Sequence, residues 1–246
     1  GGAVEVFADL TASKRLEAEA RLQREMAALG ELTAGVLHEI RSPLSVISAT
    51  AQLLLRNIPP DHETRGMATA ILDEVKHLER TASSLLLFSR PLELDFKDTD
   101  LAEVIDRAVT LCRPRLEDAN IRLERDLPAV VPRVRADRER LAQGFANLIQ
   151  NAVDALGDGG TIRIDVDQEV AESVAIRIAD SGPGIPPHAH DKVFEPFFSQ
   201  KEGGTGLGLS IVHKVITAHD GTIELLSTPV GATFQITLPV AGADTT

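Results

Sequence analysis

The chain has 246 residues, with 25 Lys and Arg against 37 Asp and Glu, a formal net charge of -12 and a pI near 5.0. The length allows one or two domains, and the acidic balance excludes an extended nucleic-acid surface, which needs a basic face for phosphates. One cysteine, Cys112, rules out an internal disulfide and fits a reducing, cytoplasmic setting, and no run of about 18 apolar residues exists to span a bilayer.

The chain opens on Gly1-Gly2-Ala3 without a secretory signal, as an internal fragment of a longer protein whose upstream part can still be membrane-anchored. Residues 4–11, VEVFADLT, read as the end of a strand, with Asp9 and Thr11 able to cap a helix. In the charged stretch that follows, Leu22, Met26, Leu29, Thr33, Val36 and Ile40 recur in steps of four and three, a heptad seam. A helix from Thr11 to Ile58 would span roughly 70 Å at 1.5 Å per residue, which suits a coiled coil. Pro43 predicts a kink. Beyond it the stripe resumes at Leu44, Ile47, Ala51, Leu54 and Ile58, shifted by one residue from the heptad.

Pro59-Pro60-Asp61 predicts a turn, and a second stripe runs through Met67, Ile71, Val75, Leu78, Ala82 and Leu85 to Pro91. Two long helices with a short link make an antiparallel hairpin. Leu53 to Leu55 and Leu85 to Phe88 sweep over half of each helix, more than a hairpin can cover. Each large apolar side chain left in water forfeits about 1.5–3 kcal/mol. A second copy, closing a four-helix bundle on residues 20–90, covers them, so a homodimer is expected.

After Pro91 the pattern changes. Asp100 is placed to cap a helix with Glu103 in its first turn and Val104, Ile105, Ala108 and Leu111 inward, and Pro114 should kink or restart it. Short alternating strands follow at Ile121/Leu123, Val134, Ile162 to Val166, Val174 to Ile178, Ile223/Leu225 and Phe234 to Leu238, with helices over Arg138–Leu156 and Leu207–Ala218 to cover one face. This is an α+β two-layer domain. The expected division is the end of an upstream domain and a coiled-coil linker over 1–20, a helical hairpin over 21–92, the layered domain over 93–241 and a disordered tail over 242–246.

Four stretches can carry chemistry. His38 falls two places after the seam residue Val36, on the watered face, with Glu39 beside it. A neutral imidazole is a nucleophile and a neighbouring carboxylate a base. Asn147 and Asn151 stand four apart, stacked on one helix face beside the apolar stripe Leu141, Phe145, Leu148 and Ala152. Paired amides suit a hydrated Mg²⁺, which takes oxygen ligands and keeps several waters. Asp180-Ser181-Gly182-Pro183-Gly184-Ile185 follows a strand. Its glycines allow close approach to a flat ligand, and its carboxylate can accept from an exocyclic amine. Gly203-Gly204-Thr205-Gly206-Leu207-Gly208 runs into a helix, and loop amides with a helix N-terminus suit phosphates, although the spacing is neither a Walker A nor a Rossmann loop. Phe194-Glu195-Pro196-Phe197-Phe198 and Lys201 precede it, as an aromatic anchor under a mobile flap. Taken singly, each stretch is also what an ordinary polar helix face or turn looks like.

In order, HEIRSPL, NLIQNAVDAL, DSGPGI, FEPFF, GGTGLGL and GATF resemble the H, N, G1, F, G2 and G3 boxes of two-component sensor histidine kinases. The match covers roughly residues 15–240, and VFADLT is similar to the end of a PAS sensor domain. The resemblance implies a Bergerat-type ATP-binding fold, a dimerising phosphotransfer hairpin, ATP and Mg²⁺, and a response-regulator partner. It makes His38 the phosphoacceptor and Glu39 its acid/base. Asn151 becomes the Mg²⁺ ligand with Asn147 in support, and Asp180 the acceptor for the adenine amine. Gly182, Gly184 and Thr233 shape that end of the pocket. Gly204, Thr205, Gly206, Leu207 and Gly208 line the phosphates, and Lys201 neutralises the γ-phosphate. Ser42 stands where the family usually has Asn or Thr, at a position associated with the reverse phosphatase reaction. Without Tyr or Trp, only Phe or aliphatic side chains can stack on adenine. Two other readings share these features, a Bergerat-fold ATPase and a non-catalytic dimerisation scaffold. The ATPases carry Glu where this chain has Asn147, and an amide cannot take a proton from water.

Overall fold

The computed structural model describes residues 39–40, 42–59, 62–89, 92–170, 172–201, 204–228 and 230–241, the side chains of 80, 86, 89 and 168–170 excepted. The expected strand end at 4–11, the coiled-coil seam up to Val36, His38 and the tail 242–246 lie outside the described residues. The chain divides between Pro91 and Leu92 into two compact units.

In the first unit residues 39–40 are helical, as is the run 42–57 (α1), with Pro43 inside that run, and α2 spans Thr64–Ser89. At the turn, Arg65 Nη1 donates to the carbonyls of Leu55 and Ile58, both at 2.9 Å. A guanidinium from the start of α2 thus satisfies carbonyls that the end of α1 leaves without intrahelical donors. His62 Nδ1 accepts from the Thr64 amide at 3.3 Å, a side-chain acceptor for the orphan amides at the start of α2.

The apolar stripes split into two sets. Leu44 and Ala51 of α1 and Ala68 and Val75 of α2 are buried. Ile47, Leu54, Met67, Ile71 and Leu78 are exposed, Leu54 at 47 % and Ile71 at 46 %. Positions three or four residues apart at 100° per residue cannot all face one neighbour, so a single hairpin covers one edge of each stripe. Ile40, on the expected seam, is exposed as well.

The second unit is a two-layer α/β sandwich. A mixed sheet in the order β2-β4-β5-β7-β6 joins β2 (Arg122–Asp126), β4 (Thr161–Val170), β5 (Ser173–Asp180), β7 (Thr233–Pro239) and β6 (Thr222–Leu226). β2 runs parallel to β4 and the other pairs are antiparallel. A two-stranded sheet pairs β1 (Lys97–Asp100) with β3 (Arg133–Ala136). The helices are α3 (Leu101–Asp118), α4 (Arg138–Leu156) and α5 (Gly208–Thr217), with a 3-10 turn at Pro187–Lys192. The alternation does the sorting: Ile162, Ile164, Ile176, Ile178 and Ile236 join Ile105, Phe145, Leu148 and Ile216 of the helices in one core.

Several expectations shift in detail. β1 reads Lys-Asp-Thr-Asp and has no apolar alternation to betray it; it is held because Thr99 is buried opposite Val134 and its hydroxyl donates to the Ala136 carbonyl at 3.0 Å. Asp100 caps α3 as expected, accepting from the Ala102 amide at 2.9 Å. Leu111, expected inward, is exposed, and Cys112 takes the inward place with Leu101, Val104, Ile105 and Ala108. α3 does not restart at Pro114 but runs through it; the proline sits on the exposed face, where water can meet the carbonyl that its missing N–H would have bonded. Cys112 Sγ donates to the Ala146 carbonyl at 3.4 Å, and burial pushes its thiol up to about 11.

Candidate functional site

The site in the second unit is organised by α4. Asp137 caps its start, with Oδ1 accepting from the Arg140 amide and Oδ2 from the Asp95 amide, both at 3.1 Å. Burial opposes ionisation of this carboxyl, but the two amides and the Arg140 guanidinium together hold it below its ordinary value. Leu141, Phe145, Leu148 and Ala152 face the core. Asn147 and Asn151 therefore share the next face, half-buried.

Against that face comes the start of α5. A Cβ built on Gly208 would stand 3.7 Å from both amide atoms of Asn151, so the missing side chain leaves the backbone of the helix start open beside the asparagine. No side chain caps α5. Its first amides are the kind of unsatisfied, partly positive donors that bind anions. One turn further along α4, Ala155 lies 3.7 Å from a Cβ built on Gly182, which brings in the second loop.

There Asp180 Oδ1 accepts from the amides of Gly182 at 2.8 Å and Ala232 at 3.3 Å. The Asp180 amide donates to the Ala232 carbonyl at 2.9 Å. Gly231, at φ 71°, lies so close that a Cβ would sit 1.7 Å from the Asp180 carbonyl oxygen. Thr233 is paired with Ala179 in the sheet and buried. The structure thus brings Asp180, Gly182, Gly184 and Thr233 together at one end of α4, and Asn151, Lys201 and Gly208 further along it.

Lys201 Nζ donates to the Asn151 carbonyl at 3.2 Å and lies 3.5 Å from Asp154 Oδ2, whose other oxygen accepts from Arg115 at 2.7 Å. The glycine loop is partly self-bonded: the Gly204 amide donates to the Lys201 carbonyl at 3.1 Å and the Leu207 amide to Thr205 Oγ1 at 3.4 Å. Leu207 itself is buried. Gly206 is at φ 65°, and a Cβ there would meet the Phe197 carbonyl carbon at 2.3 Å. Below the loop, the Phe194 ring packs at 5.7 Å from His213 and 6.1 Å from Phe234, the aromatic anchor expected from the sequence. Gly203 lies outside the described residues.

Glu39 and Ser42 belong to the first unit and are exposed on its helix. Four partners of the site were given no role in advance: Gly231 and Ala232, inside the GATF box, Asp154, inside NLIQNAVDAL, and Arg115. A glycine two residues before the last strand was the signal for Gly231, since a glycine there marks close backbone approach.

Hard oxygen donors suit Mg²⁺, and the amides of Asn147 and Asn151 beside the open start of α5 fit a magnesium-bound triphosphate. Among the described residues no three His, Cys, Asp or Glu gather as a metal site. No helix among the described residues is long and apolar enough to cross a membrane.

Comparison with known proteins bears on both units. The family model described as His Kinase A (phospho-acceptor) domain matches residues 28–93. That described as histidine kinase-, DNA gyrase B- and HSP90-like ATPase matches residues 136–242. The signal transduction histidine-protein kinase AtoS of Escherichia coli (strain K12) is 36 % identical over 97 % of this chain, which spans 39 % of that protein's length. Among solved structures, full-length ShkA in complex with AMPPNP has a TM-score of 0.71 and 29 % identity, over 87 % of this chain and 46 % of that one. Histidine kinase ThkA in complex with the response regulator protein TrrA has a TM-score of 0.66 and 30 % identity, over 95 % of this chain and 68 % of that one.

Proposed function

This chain belongs to the sensor histidine kinases of two-component systems, and from that premise we propose that it is the kinase core of a longer protein. His38 Nε2 attacks the γ-phosphorus of ATP, the bond to the β,γ-bridging oxygen breaks and ADP leaves, and Glu39 takes the imidazole proton. The phosphohistidine then yields its phosphoryl group to an aspartate of a response-regulator receiver domain. The observation that carries this reading is the approach of Gly208 to Asn151, which puts the asparagine side-chain amide beside the uncapped start of α5.

The rest of the chain holds and orients the nucleotide. Asp180 Oδ2, the oxygen not engaged by Gly182 and Ala232, accepts from the adenine amine, with Gly184 and Thr233 shaping that end. Gly206 and Gly208 present amides to the phosphates; those of Gly204 and Leu207 leave their internal partners to join them. Lys201 moves from Asp154 to the γ-phosphate. Asn151, with Asn147 behind it, would hold Mg²⁺, which would supply neutralisation of phosphate charge. Positioning and charge neutralisation carry most of a phosphoryl transfer. Asn147 cannot deprotonate water, so the ATPase reading lacks its base. Ser42 keeps a hydroxyl at the position associated with the reverse reaction, which supports a phosphatase activity on the phosphorylated receiver domain.

The exposed edge of the hairpin stripes supports a homodimer closed as a four-helix bundle. We assign the end of a PAS-like sensor and the coiled-coil linker to 1–20, the phosphotransfer hairpin to 21–92, the ATP-binding domain to 93–241 and the tail to 242–246. Incubation with γ-labelled ATP should leave acid-labile, base-stable label on the chain, and His38→Gln should abolish it. Steady phosphate release with an unlabelled chain would overturn the proposal in favour of hydrolysis.

A further inference from the structure

A buried histidine at the far end of α5 ties three segments together. His219, just past the end of α5, is 2 % exposed. Its Nε2 accepts from the Asp137 amide at 3.0 Å, so its proton sits on Nδ1, which donates to the Val215 carbonyl at 2.7 Å. The ring also meets Phe96 edge-on at 5.3 Å. Both nitrogens of a buried imidazole are therefore spent on backbone groups, one on the cap of α4 and one on the last turn of α5.

α4 and α5 run antiparallel, and their meeting points are regularly spaced. Asn151 meets Gly208, Gly144 meets Val215 with a built Cβ 3.5 Å from its methyl, and Asp137 meets His219. On α4 these points are seven residues apart, two helical turns each. The imidazole thus sits roughly 20 Å from Asn151 at 1.5 Å per residue. A slide or tilt of α5 along α4 would carry Gly208 off Asn151, while leaving Asp180 and Thr233, on other elements, in place. The apolar contacts of α5, Gly144 on Val215 among them, hold the helix against α4, and the hydrogen bond at the far end adds a directional constraint that fixes one register.

We propose that His219 is a positioning residue that locks the register of α5 on α4 and so sets the phosphate end of the nucleotide site, without touching nucleotide. The proposal rests on the reading of Asn151 and Gly208 as the phosphate end, and it extends that reading to a residue with no role in the transfer itself.

His219→Phe keeps the ring and removes both hydrogen bonds; His219→Gln can remake both; His219→Asn, too short for both, is the second loss variant should the first not fold. In the nucleotide-free chain, the Gly208 backbone and Asn151 side-chain amide resonances should move in the Phe or Asn variant and return in the Gln variant. Mg-ATP affinity should fall about tenfold in the loss variants, while AMP, read at the Asp180 end, changes less than twofold. Partial unfolding lowers both affinities together, so the ratio isolates register from stability. Equal losses for AMP and ATP, or no loss for either, would overturn the proposal. These are binding and resonance measurements, so they stand apart from the phosphohistidine assay that tests the proposed function.

Discussion

In the first unit Leu44, Ala51, Ala68 and Val75 are shut away, while Ile47, Leu53, Leu54, Met67, Ile71 and Leu78 stay exposed along the same two helices. In the second, strand after strand buries its apolar face, and the large exposed apolar residues, Phe96, Leu111, Val130, Phe197 and Val230, are scattered through the chain. Scattered exposure is normal, whereas a contiguous apolar face marks a surface that is completed by something else. One unit closes on itself, and the other leaves an apolar face that a second copy covers in the homodimer proposed above. That contrast separates what each should tolerate.

The largest test is on the open face. In the proposed homodimer Leu54→Asp would put a charge at two places, and at about 1.5–3 kcal/mol for each lost burial it should shift sedimentation at micromolar concentration from dimer to monomer. The melting of the second unit should not move; a dimer that survives would break the contrast. Next comes Gly231→Ala, where backbone packs on backbone. A Cβ 1.7 Å from the Asp180 oxygen at positive φ should cost about 3 kcal/mol, a fall of roughly 10 °C in the Tm of the second unit, with weakened nucleotide binding.

Asp137 offers a smaller, pH-dependent effect. Its folded carboxyl is held below the unfolded value, so its stabilisation is complete above the unfolded pKa, about 4, and is lost as pH falls through the folded one. Denaturant unfolding of Asp137→Asn should therefore show a deficit of about 0.5 kcal/mol at neutral pH, solvent screening allowed for, which closes in acid. A deficit constant with pH would contradict the assignment. The smallest effect has the opposite sign. Gly66 lies in α2 with nothing within 4 Å of a built Cβ, so Gly66→Ala should stabilise the hairpin by about 0.5–1 kcal/mol, visible in its thermal unfolding. Alanine is welcome there and ruinous at Gly231.

Much of the second unit was legible because its signals are local. α4 begins and ends at Arg138 and Leu156 as its stripe and flanking Asp and Gly imply, and Asp100 caps α3 by the same chemistry. What escaped was set by tertiary context. β1 is charged and exists through Thr99 and its partner strand, and Pro114 is tolerated because its side of α3 faces water. At the site, residue types that bind ligands stood out, as with Asn151, Asp180 and Gly208. The residues that hold those in place did not: Ala232 and Arg115 carry no local mark, and His219 looks like any helix-end histidine until Asp137 is folded against it.

Cys112 is the sole thiol of the chain, hydrogen-bonded and shielded between α3 and α4. With so high a threshold for forming thiolate, the native protein should ignore maleimides and disulfide reagents at neutral pH. Cysteines placed at will on α2 and β2 would then carry dyes to those two addresses alone. The protein arrives already silent, and the spacing of its halves becomes a length that can be followed by energy transfer as nucleotide is added.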